Sequence, residues 1–209
     1  RLGDRGFLWL WFRFLIWWWN KMAGVYRKNV GIAVFNKDQK VLMCARADKP
    51  GFAWQFPQGG IDNGETPLEA AYRELKEETG ITSVELVAQL NKPLRYDFPA
   101  EILENFKKLG RNNIGQEQYW VLFYFYGEDS EIDFATHPEE IEFKAYEWVD
   151  ISEAPQRIVP FKKDVYQNVA KAFQPYIRKK NGKNGSLSKE MILQHKMEDI
   201  RIYSRYRER

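Results

Sequence analysis

Residues 66–80 constrain the fold more than any other stretch, because both ends of a helix are written into them. Thr66 can cap the first turn, Pro67 suits the first helical position, and Glu69 completes a capping box. Gly80 supplies the expected left-handed stop. Between these ends Leu68, Ala71, Tyr72 and Leu75 fall on one stripe, which predicts a helix docked on a sheet. Glu74, Glu77 and Glu78 stand at i, i+3 and i+4 and share a neighbouring face. Like charges at that spacing repel by a few tenths of a kcal/mol per pair, roughly, and Arg73, four residues before Glu77, offsets only part of it. Such a stripe can be a solvated acidic face. It can also hold a divalent cation.

The rest of the chain supplies the sheet. Residues 30–35, 41–45, 84–90, 118–126 and 142–149 are rich in β-branched and aromatic residues and read as strands. Residues 100–110 and 161–173 have helical spacing; in the second, Val165, Val169 and Phe173 recur every fourth position. This mixture predicts an α/β (α+β) layered domain with a mixed sheet over residues 22–177. Ahead of it, residues 1–21 form an aromatic N-terminal extension containing FLWLWFRFLIWWW, thirteen residues with five of the eight tryptophans. That run is shorter than the roughly 20 residues of a membrane span and lacks a small-residue cleavage site. It reads as translated upstream sequence or a cloning remnant, with a membrane-surface anchor as the alternative. Residues 181–188, NGKNGSLS, read as a flexible linker, and Met191 to Tyr203 as a weakly amphipathic segment.

Composition narrows the chemistry. The one cysteine, Cys44, sits in a strand-like run and reads as core, so no intramolecular disulfide forms and a reducing compartment is expected. His137 and His195, far apart and without a cysteine partner, make zinc a poor fit. Carboxylates must then hold any metal, which favours magnesium, manganese or calcium. The net charge of +3 hides a segregation: residues 178–209 carry ten Lys/Arg against four Asp/Glu, while residues 22–177 are net acidic. This basic C-terminal tail is either a solvated, solubilising segment or a weak attractor of polyanions such as RNA.

The decisive pattern surrounds the helix. Gly59 is followed at fixed spacings by Glu65, Arg73-Glu74-Leu75, Glu77-Glu78 and Gly80-Ile81. At every one of these positions the chain resembles the Nudix hydrolase superfamily. The resemblance implies an α/β/α sandwich with a mixed β-sheet and a metal-dependent cleavage of a diphosphate bond, with Mg2+ or Mn2+ as cofactor. It further implies that Glu77 and Glu78 bind metal, that Glu74 is a third ligand or the base, and that Arg73 orients a glutamate. By the same resemblance Glu65 fixes the geometry of the loop that carries Gly59 and Gly60, and the backbone carbonyl of Gln58 adds a ligand. A fourth carboxylate is expected just before the last strand; Glu142 is the candidate, with Glu139 and Glu140 competing.

Segments outside this box, YRKNVG (26–31), WQFPQGG (54–60), LRYDFP (94–99), GQEQYW (115–120) and FKKDVY (161–166), resemble bacterial RNA pyrophosphohydrolases and related plant and bacterial dinucleoside polyphosphate hydrolases. The resemblance implies a nucleoside polyphosphate or 5′-triphosphorylated RNA as substrate, diadenosine tetraphosphate being an example of the former, and no DNA. Arg27 and Lys162 are then expected on the phosphates, Tyr96 and Phe161 stacked on a base, and Gln116 in polar contact with substrate. One departure stands out: relatives tend to carry two basic residues after the second strand, and here Arg46 is followed by Ala47 and Asp48. If the second basic residue helps hold an RNA base, its absence favours dinucleotides, whereas the basic tail weakly favours RNA; a cleft that accepts either substrate class is expected. A cytoplasmic location is expected, or an organellar one in a eukaryote. Two rivals remain: a non-catalytic Nudix module, against which the four box glutamates argue, and an adaptor working through the flanks.

Overall fold

The computed structural model describes residues 24–49, 51, 53–135 and 141–180. The aromatic extension, the linker, the segment from Met191 and the competing Glu139 and Glu140 lie outside these residues. Among the described residues eight strands run in the order β1 (Val25–Phe35), β2 (Val41–Arg46), β3 (Trp54–Gln55), β4 (Gln58–Gly60), β5 (Val84–Gln89), β6 (Leu94–Asp97), β7 (Asn113–Phe125) and β8 (Phe143–Val149). The helices are α1 (Pro67–Thr79), α2 (Ala100–Lys108), α3 (Ala154–Arg157) and α4 (Lys163–Lys180).

β1 and β7 form the spine as a long parallel pair, and every other pairing is antiparallel. The sheet is therefore mixed, as expected. Parallel neighbours cannot be joined by a tight turn, so the chain must cross over between them, and α1 belongs to that crossover. Alternation along the two central strands makes two cores. Val30, Ile32, Val34, Val121 and Phe123 face α1 through Ala70, Ala71 and Leu75. Ala33, Phe35, Trp120 and Leu122 face α4 through Tyr166, Val169 and Phe173. Both faces of the sheet are covered, which is the α/β/α sandwich. Each large apolar side chain buried this way contributes about 1.5–3 kcal/mol.

The capping signals of α1 are realised. The Thr66 hydroxyl accepts from the Glu69 N–H, the Glu69 carboxylate accepts from the Thr66 N–H, and Gly80 turns left-handed at φ 73°. The docking stripe is shifted by one position: Ala70 is buried in place of Tyr72, which is 42% exposed. The centre of contact runs through Ala70, Ala71, Leu75 and Thr79, so Tyr72 sits at the stripe's edge with its ring against Phe123.

Several elements differ from the sequence reading. β1 and β7 start five residues earlier than expected, and the glycine-rich WQFPQGG stretch contains two short strands. α4 starts at Lys163, after a 3-10 turn at Pro160–Lys162, and continues past Phe173 to Lys180 through Pro175. Most important for the site, β4 pairs with β1 through Gly31↔Gln58, Val30↔Gly59 and Asn29↔Gly60. That pairing fixes the loop ahead of α1 on the sheet.

Candidate active site

Arg73 organises the glutamates of α1. Its Nε and Nη2 donate to the two oxygens of Glu65 at 2.9 and 2.8 Å, a fork-on-carboxylate fit. Its Nη1 donates to Glu74 at 2.8 Å and to Glu77 at 3.0 Å, and Nη2 also reaches the Gly60 carbonyl at 3.0 Å. One guanidinium thus ties the loop to three carboxylates. The Arg73 guanidinium, with the Asp62 N–H beside it, pulls the Glu65 carboxyl down to about 2. Gly59 completes the arrangement, since a Cβ there would overlap the carboxylate of Glu74.

Glu78 lies deeper. It accepts the Gln58 N–H at 3.0 Å. Burial, reinforced by the charges of Glu142 and Glu74, holds its carboxyl well above the ordinary range, against the opposing pull of that N–H and of Arg46. Glu74 is also raised, by burial first, with Arg73 opposing. The Glu142 carboxylate is paired with Arg46, whose Nε binds Asp48 at 2.6 Å. Glu77 is the most open of the box glutamates on α1, its side chain 41% exposed. Among the described residues no three carboxylates surround a common point, and Glu74, Glu77 and Glu142 are paired with Arg73 and Arg46. The donor chemistry nevertheless fits a hard divalent cation. All the donors are oxygen, and burial raises the carboxyls of Glu74 and Glu78, a penalty that a bound cation would relieve.

A second group lies on the other side of β4. The Gln58 side-chain oxygen accepts from Lys162 Nζ at 3.1 Å and from Gln118 Nε2 at 3.1 Å, and Gln118 Nε2 also donates to Asn29 at 2.8 Å. Lys162 is 7% exposed, and burial, helped by Arg46, brings its ammonium down to about 8 against the pull of Glu142 and Glu78. Its Nζ stands 5.2 Å from the Tyr96 ring centre. Phe161 packs against Tyr96 at 5.8 Å and keeps part of its surface free. Tyr96 itself is buried and its hydroxyl donates to Gln116, so it backs Phe161 and offers little face of its own. Arg27, Gln116 and Tyr96 are neighbours across three strands, and Arg27 is exposed beside Gly60.

The residues singled out in the sequence therefore fall into two clusters, glutamates on one side and cationic and aromatic groups on the other, with Gln58 touching both. Sequence reasoning missed the Arg46–Glu142 pair and the Asn29–Gln118 pair. The available signal for the latter was a polar residue next to the apolar run in each of two strands, Asn29 before Val30 and Gln118 two residues before Trp120.

The NUDIX domain model matches residues 25–169. The chain belongs to the Nudix family. An RNA pyrophosphohydrolase of Caulobacter vibrioides is 45% identical over 166 residues, covering 76% of this chain and 95% of the relative. The chloroplastic Nudix hydrolase 26 of Arabidopsis thaliana is 41% identical over 155 residues, covering 73% of this chain and 71% of the relative. The E. coli dihydroneopterin triphosphate pyrophosphohydrolase structure has the same fold, with a TM-score of 0.51 at 22% identity over 70% of this chain and 97% of its own. This Nudix protein is a hydrolase of pyrophosphate bonds. Nudix hydrolases in general use divalent cations. Among the described residues no helix is long and apolar enough to cross a membrane.

Proposed function

We propose that this Nudix hydrolase removes pyrophosphate from the 5′-triphosphate end of RNA, using magnesium or, in its place, manganese. The observation that carries the reading is the position of Lys162, a buried cation one residue's reach from the glutamate cluster through Gln58. A polyphosphate chain has to meet cations on one side and metal on the other, and these two clusters supply both.

In this reading Glu74, Glu77, Glu78 and Glu142, with the Gln58 carbonyl, hold the cation. When bound, the metal polarises phosphoryl oxygens, activates water and neutralises the leaving diphosphate. Arg73 keeps Glu74 and Glu77 aimed, and Glu65 and the backbone of Gly59 and Gly60 keep Arg73 and the loop in place. The proton of the attacking water passes to a box glutamate, the group class suited to such work when its carboxyl is held above the ordinary range. Arg27 and Lys162 hold phosphate oxygens. Phe161 stacks on the first base with Tyr96 behind it, a contact worth about 1–3 kcal/mol, and Gln116 lies beside them. The catalytic unit is residues 22–177, and the single buried thiol suits a reducing, cytoplasmic setting.

A second reading, dinucleoside polyphosphate hydrolysis, is favoured by Ala47 and Asp48, which put no cation directly after Arg46. The test is product analysis with 5′-triphosphorylated RNA and diadenosine tetraphosphate side by side at equal magnesium. The proposal expects pyrophosphate and 5′-monophosphorylated RNA as the faster reaction. Exclusive cleavage of the dinucleotide would replace it with the second reading.

A further inference from the structure

We infer that Gln118, braced by Asn29, is a positioning residue that sets the amide of Gln58 so that its oxygen receives Lys162. The inference rests on the reading of Lys162 as a phosphate contact.

A lysine ammonium can only donate, so the Gln58 amide must turn its oxygen, not its nitrogen, toward Nζ. Nothing in Gln58 itself selects that orientation, because the two ends of an amide have nearly the same shape. Gln118 makes the selection. Its Nε2 donates into the same Gln58 oxygen, and would meet the Gln58 nitrogen donor to donor if that amide turned over. Gln118 is held in turn by Asn29, whose side-chain oxygen takes the other hydrogen of Nε2. Both residues are buried, at 0% and 2% exposure, in the sheet's two central strands, directly opposite each other in the β1–β7 register. The chain of orientation runs from Asn29 through Gln118 and Gln58 to Lys162.

Packing does not account for Gln118. Its own Oε1 is buried with no protein partner among the described residues. Such a group is costly to bury, and an apolar side chain of similar shape would avoid that cost. The same Gln58 offers its backbone N–H to Glu78, so the brace fixes Lys162 relative to the glutamates and not only to the sheet.

The experiment is a double-mutant cycle on the full chain with Gln118→Met and Lys162→Met, using a short 5′-triphosphorylated RNA at saturating magnesium, with thermal melting as the check on folding. Each single variant is expected to raise KM about tenfold, the size of one charged hydrogen bond, with kcat within about twofold. The double variant is expected to match Lys162→Met alone, since Gln118 acts only through the lysine. A wild-type KM for Gln118→Met, or losses that multiply in the double variant, would overturn the inference. Gln118→Leu replaces the methionine variant if the latter does not melt cooperatively. Wild-type protein that leaves the RNA intact would instead overturn the reading of the reaction beneath it.

Discussion

Arg73 shows how much one side chain can organise when its donors all point inward. Five hydrogen bonds leave its three nitrogens, and Glu65 receives two of them. The Glu65 carboxyl is lowered from 4.5 to about 2, so its charge favours the folded state at neutral pH. The sign follows from linkage: the contribution is complete above the unfolded value near 4.5 and is lost as pH falls toward 2. Glu65→Gln is therefore expected to melt below wild type at pH 7, with the gap closing as the pH falls toward 2. Thermal melts of both proteins across that range test it, and a gap independent of pH would contradict the ion-pair account. Glu78 runs the other way. Its raised carboxyl means that ionising it opposes folding as pH rises, a penalty that a cation among the glutamates would relieve.

At the scale of elements, α1 and β4 work as one unit, because the helix carries carboxylates and the strand's glycines leave room for them. Gly59 has no left-handed backbone requirement, so alanine there should fold, but its Cβ would displace the Glu74 carboxylate. Gly59→Ala is expected to keep its melting temperature within a few degrees and lose about a hundredfold in kcat, the scale of a 1 Å misplacement in a catalytic group. Steady-state kinetics beside a melting curve decides it; unchanged turnover would contradict the tight fit. The helix was readable in advance because Thr66, Pro67, Glu69 and Gly80 act through local backbone chemistry. The apolar cores of the long strands were readable through alternation. β3, β4 and β6 were not, since segments of two to four residues carry too little periodicity and owe their pairing to neighbours distant in sequence. The polar first halves of β1 and β7 were missed for a related reason: Arg27, Lys28, Asn29, Gln116, Glu117 and Gln118 interrupt the apolar alternation that marks a strand. The box glutamates could be singled out from spacing and resemblance. The salt bridge that holds Glu142 and the side-chain hydrogen bonds behind Lys162 needed three dimensions.

On the scale of the whole molecule, the two-sided sheet brings glutamates from one face and Lys162 from the other to a single edge of β4. Everything the account requires lies within residues 22–177. A chain trimmed to those residues should retain kcat and KM for triphosphorylated RNA within about twofold at moderate salt, whereas a large rise in KM would assign the basic tail a part in binding. Beneath this stands the claim that the glutamates of α1 act through a divalent cation. The most direct test is the rate of pyrophosphate release from 5′-triphosphorylated RNA as magnesium is titrated into metal-free protein, for wild type and Glu78→Gln. The account predicts a saturable rise from a negligible rate in wild type, and a fall of about a hundredfold or more in the variant, the scale of losing one preorganised charge at the reacting centre. Turnover that persists in chelator, or a folded Glu78→Gln protein as fast as wild type, would contradict it.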